Sequence, residues 1–123
     1  AAGYAGLSEV YTVDRARQFH ERTEAFRKQL QERLRAADFD VWVTGHGSMF
    51  SLHVGQVAPS CAADVADSSV RLRRLMQLHC LESGVRVTTR GDIYLSLAME
   101  DSDLEMLMDV LFNAVDRAIP LVR

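Results

Sequence analysis

Lysine, cysteine and proline are scarce in this 123-residue chain, and each shortage excludes something. Lys28 is the only lysine, set among Arg27, Gln29 and Gln31 on the polar side of a helix with nothing nearby to desolvate it, so covalent lysine chemistry by this chain is excluded. Two cysteines, Cys61 and Cys80, are too few for a disulfide framework, which predicts a reducing, cytoplasmic setting. No apolar run approaches a membrane-spanning helix or a signal-peptide core, so no membrane is expected as a partner. Basic charge is in deficit as well. With 14 Lys and Arg against 17 Asp and Glu, the net charge of −3 argues against a bulk electrostatic grip on nucleic acid. What remains, 48% hydrophobic and 25% charged residues without repeats or low-complexity tracts, is the composition of one ordinary globular domain.

The pattern along the chain alternates helical and strand periods. From about residue 5 to 37, apolar or small residues at Ala16, Phe19, Thr23, Phe26, Leu30 and Leu34 step by three and four, predicting one long helix with a candidate break at Thr12. Val41 to Val43 and Met49 to Val54 read as two strands around the bend Gly45-His46-Gly47. A loop through Pro59 leads to a helix from 64 to 83, with Gly84 suited to its C-terminal cap. Val85 to Thr88 and Ile93 to Ala98 are expected to form a hairpin about Gly91-Asp92. Asp101-Ser102-Asp103 is expected to cap a last helix that runs to about Ile119. The order predicts an α+β fold, a small antiparallel sheet with helices packed on one face. In the last helix Glu105, Asp109 and Asn113 form a single polar stripe, leaving an apolar face wide enough for either a central core helix or a contact with another domain.

Chemistry-bearing residues are few. His20, His46, His53 and His79 lack the spacing of paired ligands on one face, so no metal site is expected. Ser48, Ser51, Cys61 and Cys80 show no pattern of an activated nucleophile, so no catalytic residue is assigned. Arg71, Arg73 and Arg74 read as a solvated face, and Arg86 and Arg90, flanking Thr88 and Thr89, are candidates to hold a carboxylate.

Four stretches, in order along the chain, resemble one family. Gly45-His46-Gly47-Ser48-Met49-Phe50-Ser51-Leu52 resembles the G-x-G-S-M-F strand pair in the C-terminal small domain of class III, fold-type-I, pyridoxal-phosphate-dependent aminotransferases, glutamate-1-semialdehyde aminomutase above all. Ala2 to Val10 resembles the helix that leaves the large domain, Leu81 to Val85 the helix-to-strand step, and Tyr94 to Leu104 the final strand and cap. The resemblance implies a C-terminal domain cut from its cofactor domain, with residues 1–37 connecting to the missing large domain and 38–123 forming the small domain. The start at Ala1 without a methionine is expected of such a piece or of a cleaved tag. It further implies pyridoxal 5′-phosphate in the full-length protein, no cofactor-binding residue on this chain, a homodimer when complete, and an isolated chain that is inactive. The substrate-cleft candidates it points to are Ser48, Met49, Thr89 and Arg90. Two departures weigh against the aminomutase itself: Thr88-Thr89-Arg90-Gly91-Asp92 stands where that enzyme has a longer proline-serine stretch before an acidic residue, and Ala98-Met99-Glu100 where it has alanine-histidine-threonine. The competing expectation is a free-standing α+β ligand-binding or dimerisation module.

Overall fold

The computed structural model describes residues 2–122. The long first helix is divided. A short α1 (Ala2–Ala5) runs into a π turn (Gly6–Val10), in which the Tyr11 N–H reaches back to the Gly6 carbonyl at 2.7 Å. Thr12 is extended and its hydroxyl accepts from the Arg15 N–H, so the cap anticipated there opens α2 (Val13–Ala36). Thr23, Phe26, Leu30 and Leu34 are the buried residues of α2, the stripe that the three-and-four spacing marked out.

The sheet is antiparallel in the order β1 (Val41–His46), β2 (Met49–Val54), β3 (Ile93–Tyr94). Its register pairs Val43 with Leu52 and Gly45 with Phe50, and β3 joins through Phe50 with Ile93. Strand alternation puts Val41, Val43, Phe50, Leu52 and Ile93 on the core face, and Trp42, Thr44, His46, Met49, Ser51, His53 and Tyr94 on the other. Two outer backbone groups of edge strand β1 are taken by one side chain. Gln31 of α2 donates its amide to the Val41 carbonyl at 2.9 Å and accepts from the Val43 N–H at 2.7 Å.

α3 (Asp67–Glu82) starts three residues later than expected and has Ser83 at its C-cap, with Gly84 (φ +78°) the residue after it. The Gly84 N–H bonds the Leu81 carbonyl and the Val85 N–H the Cys80 carbonyl, which satisfies the last turn. The expected hairpin is absent. Residues 85–88 form no strand, although Val87 is buried, and the second strand shrinks to Ile93–Tyr94, which pairs with β2 instead. Hydrogen bonds fold residues 88–92 into a closed turn: the Thr88 N–H to the Asp92 carbonyl, the Gly91 N–H to the Thr88 carbonyl, and the Asp92 N–H to the Thr88 hydroxyl. Gly91 (φ +80°) lies so close to the aliphatic stem of Arg73 that a Cβ there would fall 2.8 Å from Arg73 Cγ.

α4 (Asp101–Ala118) is capped by Glu100 rather than by the Asp101-Ser102-Asp103 run; the Asp103 carboxylate accepts from the Glu100 N–H at 2.8 Å. Its wide apolar face is largely used inside the domain. Leu107, Leu111, Ala114, Val115 and Ala118 are buried, while Phe112 lies against Phe39 and under the Arg33 guanidinium, 4.4 Å from the ring centre. Met106, half exposed, is the largest apolar group left to solvent on this helix. Ion pairs Arg22–Asp101 (2.8 Å) and Arg33–Asp109 (2.6 Å) tie α2 to α4 across the surface.

Candidate functional site

The four cleft candidates fall into two neighbouring groups. Ser48 sits in the two-residue β1–β2 turn, where its carbonyl accepts from the Leu95 N–H at 2.8 Å. Met49 is 57% exposed and pairs across the strands with Tyr94, 52% exposed, on the sheet face turned from the core. Met49 and Tyr94 line a shallow concavity of about 220 Å³ together with Thr44, Ser51 and Asp92. Thr89 lines a separate concavity of about 370 Å³ with Gln77, Arg86 and Thr88. Arg90 is exposed, and its Nε lies 3.4 Å from the carboxylate of Asp92, which lines the Met49 concavity.

Residues that local sequence reasoning did not select complete this surface. The Ser51 hydroxyl is buried beside Met49 without a hydrogen-bond partner among the described residues. His53 of β2 accepts from an Arg73 guanidinium N–H at 3.1 Å, which fixes the proton of the neutral ring on Nε2. Burial lowers the His53 pKa, the Arg73 cation lowers it further, and the Asp92 carboxylate opposes them. The period-two alternation of β2 places Met49, Ser51 and His53 on one face and was the available signal; Arg73 and Asp92 reach it from other elements.

A depressed histidine pKa makes the neutral ring part of the folded state. Its stabilising contribution is complete above the unfolded value near 6.5 and is lost as pH falls through the lower folded value. His53→Asn, which keeps an acceptor for Arg73 and cannot titrate, is expected to flatten the decline in melting temperature between pH 7 and pH 5. Parallel curves for the two proteins would show that His53 does not carry this dependence.

The chain's residues do not fit covalent attachment of pyridoxal phosphate. Lys28 projects from α2 into solvent, 3.9 Å from the Glu32 carboxylate, without the burial that generates a nucleophilic amine. Among the described residues no group of three or more His, Cys, Asp and Glu side chains is placed to hold a metal ion, and no helix is long and apolar enough to cross a membrane.

In sequence and fold the chain is similar to a segment of aminotransferases. No family model matches the chain. The β-phenylalanine transaminase of Variovorax paradoxus is 34% identical over 105 residues, covering 85% of this chain and 24% of that protein. An uncharacterized aminotransferase of Schizosaccharomyces pombe is 28% identical over 99% of this chain and 28% of its own length. Among solved structures, the Variovorax β-phenylalanine aminotransferase superposes with a TM-score of 0.89 at 29% identity, over 98% of this chain and 28% of that one. A glutamate-1-semialdehyde aminomutase from Pseudomonas aeruginosa, in complex with PMP, matches in fold with a TM-score of 0.78 at 18% identity, over 95% of this chain and 26% of that one. The chain thus spans about a quarter of the length of the relatives it matches, which are transaminases more closely than the aminomutase.

Proposed function

We propose that this chain is the small-domain segment of a pyridoxal-phosphate-dependent aminotransferase that works in the cytoplasm as a homodimer. Residues 1–37 connect it to a large domain carrying the cofactor lysine. The observation that carries this reading is the match of nearly the whole chain to about a quarter of a transaminase structure at a TM-score of 0.89. Pyridoxal phosphate supplies the electron sink for amino-group transfer when bound. The segment's own part is to close one side of the substrate cleft and exclude water, with the turn bearing Ser48 and Met49 and the turn bearing Thr89 and Arg90 facing the substrate. Arg90 is the residue proposed to hold a substrate carboxylate, in exchange for its contact with Asp92. By itself the segment is inactive. Transfer between two molecules is favoured over internal transfer of the glutamate-1-semialdehyde kind, because the chain departs from the aminomutase pattern at Thr88-Thr89-Arg90-Gly91-Asp92 and at Ala98-Met99-Glu100. The second reading, an aminomutase, has fold similarity behind it.

The test is the intact mass and visible spectrum of the native gene product, purified with proteases inhibited. A much longer protein with the absorption of bound pyridoxal phosphate is expected. A colourless product of about the present mass overturns the reading in favour of a free-standing module. In the full-length enzyme, Arg90→Ala is expected to raise KM for a carboxylate-bearing substrate about tenfold or more, the scale of one lost charge-assisted contact. Unchanged kinetics would remove Arg90 from the site.

A further inference from the structure

We propose that Glu24 of α2 is a positioning residue that sets the β1–β2 turn, and with it the Ser48–Met49 edge of the cleft. The inference rests on the aminotransferase reading above. The Glu24 carboxylate accepts from the Gly47 N–H at 2.6 Å, a short charge-assisted bond between residues 23 apart in sequence. The same oxygen accepts from the Arg27 guanidinium at 2.7 Å, which fixes the carboxylate on its helix. Gly47 has φ +53°, a conformation that favours glycine, and a Cβ there would fall 3.0 Å from His20 Nδ1, so the turn is seated closely against α2. On its other side the turn is held by the Ser48 carbonyl, which accepts from the Leu95 N–H at 2.8 Å.

Glu24 therefore closes a two-sided clamp: α2 holds the amide before Ser48, and the segment leaving β3 holds the carbonyl after it. Met49 follows immediately, and its partner Tyr94 precedes Leu95, so a displaced turn moves both exposed side chains of the concavity. The charge on Glu24 is secured by its surroundings. The Gly47 N–H bond holds the carboxyl below its ordinary range against a desolvation that opposes it, with Arg27, His20 and His46 adding to the lowering. The rings of His20 and His46, with centroids 4.8 Å apart, close the space beside the turn.

The experiment compares Glu24→Ala, Glu24→Gln and the control Glu21→Ala, on the exposed side of the same helix, in the full-length enzyme. Peptide-level hydrogen exchange across residues 44–50 reads the clamp, and steady-state kinetics reads its use. Glu24→Ala is expected to speed exchange in that peptide roughly tenfold or more and to raise KM severalfold with kcat changed far less. Glu24→Gln, whose amide oxygen still accepts from Gly47, is expected to recover most of both, and Glu21→Ala to change neither. Unaltered exchange in Glu24→Ala overturns the clamp. Faster exchange with unchanged KM and kcat overturns the positioning role. A wild-type enzyme without aminotransferase activity, whose exchange still responds to Glu24→Ala, overturns the functional reading and the positioning role with it while the clamp stands, so the two failures are distinguishable.

Discussion

Leu111→Ala is expected to lower the free energy of unfolding by about 2–5 kcal/mol, against a change within about 0.5 kcal/mol for Met106→Ala five residues earlier on the same helix. Leu111 is fully enclosed in the cluster that joins α2, α3, α4 and the sheet, so truncation removes its transfer energy and leaves a cavity within that cluster. Met106 is half exposed and loses little. Chemical denaturation of the two variants, with a common slope, is the measurement. Similar losses at both positions would mean that Met106 is covered in solution and that α4 serves an interface as well as the core.

Gly91→Ala is expected to cost roughly 2–5 kcal/mol. About 1–2 kcal/mol of this comes from an L-residue held at positive φ and about 1–3 kcal/mol from overpacking. The new methyl would meet Cβ, Cγ and Cδ of Arg73 at under 3.0 Å, close to the helix backbone where the side chain has little freedom to swing away. Arg73 is further restrained by its bond to His53, so relief at Gly91 disturbs the His53 ring as well. Denaturation of Gly91→Ala beside Gly3→Ala, where a Cβ meets nothing within 4 Å, separates the effect from a generic glycine replacement. Equal stabilities for the two variants would show that the 88–92 turn yields without cost.

The elements legible in the sequence were those whose pattern is settled within one segment. Thr12 could be read as a cap, Phe26, Leu30 and Leu34 as a helical stripe, and Gly84 as a terminator, because each depends on neighbours three to five residues away. The error at Val85 to Thr88 has the opposite origin. Alternation reports which side chains turn inward, and Val87 does, but it does not say which strand supplies the backbone partners; β2 takes Ile93 and Tyr94, and Thr88 is diverted into a turn with Asp92. At the candidate surface, Ser48 and Met49 came from a contiguous motif. The contacts that hold that surface, Glu24 to Gly47, Arg73 to His53 and Gly91 against Arg73, span about 20 residues each and exist only once helices and sheet have docked.

The Gln31 side chain bears on how this domain behaves in company. A strand at the margin of a sheet is a template on which another chain can grow, and sheet proteins pay for leaving such margins bare through aggregation. Here the amide of Gln31, itself a small copy of a peptide group, occupies the donor and acceptor that Val41 and Val43 turn outward. One residue of α2 thereby obstructs strand-on-strand accretion at the Val41–Val43 end of that border. The opposite border of the sheet, past β3, has no such side chain across it among the described residues and lies next to Tyr94 and the 88–92 turn.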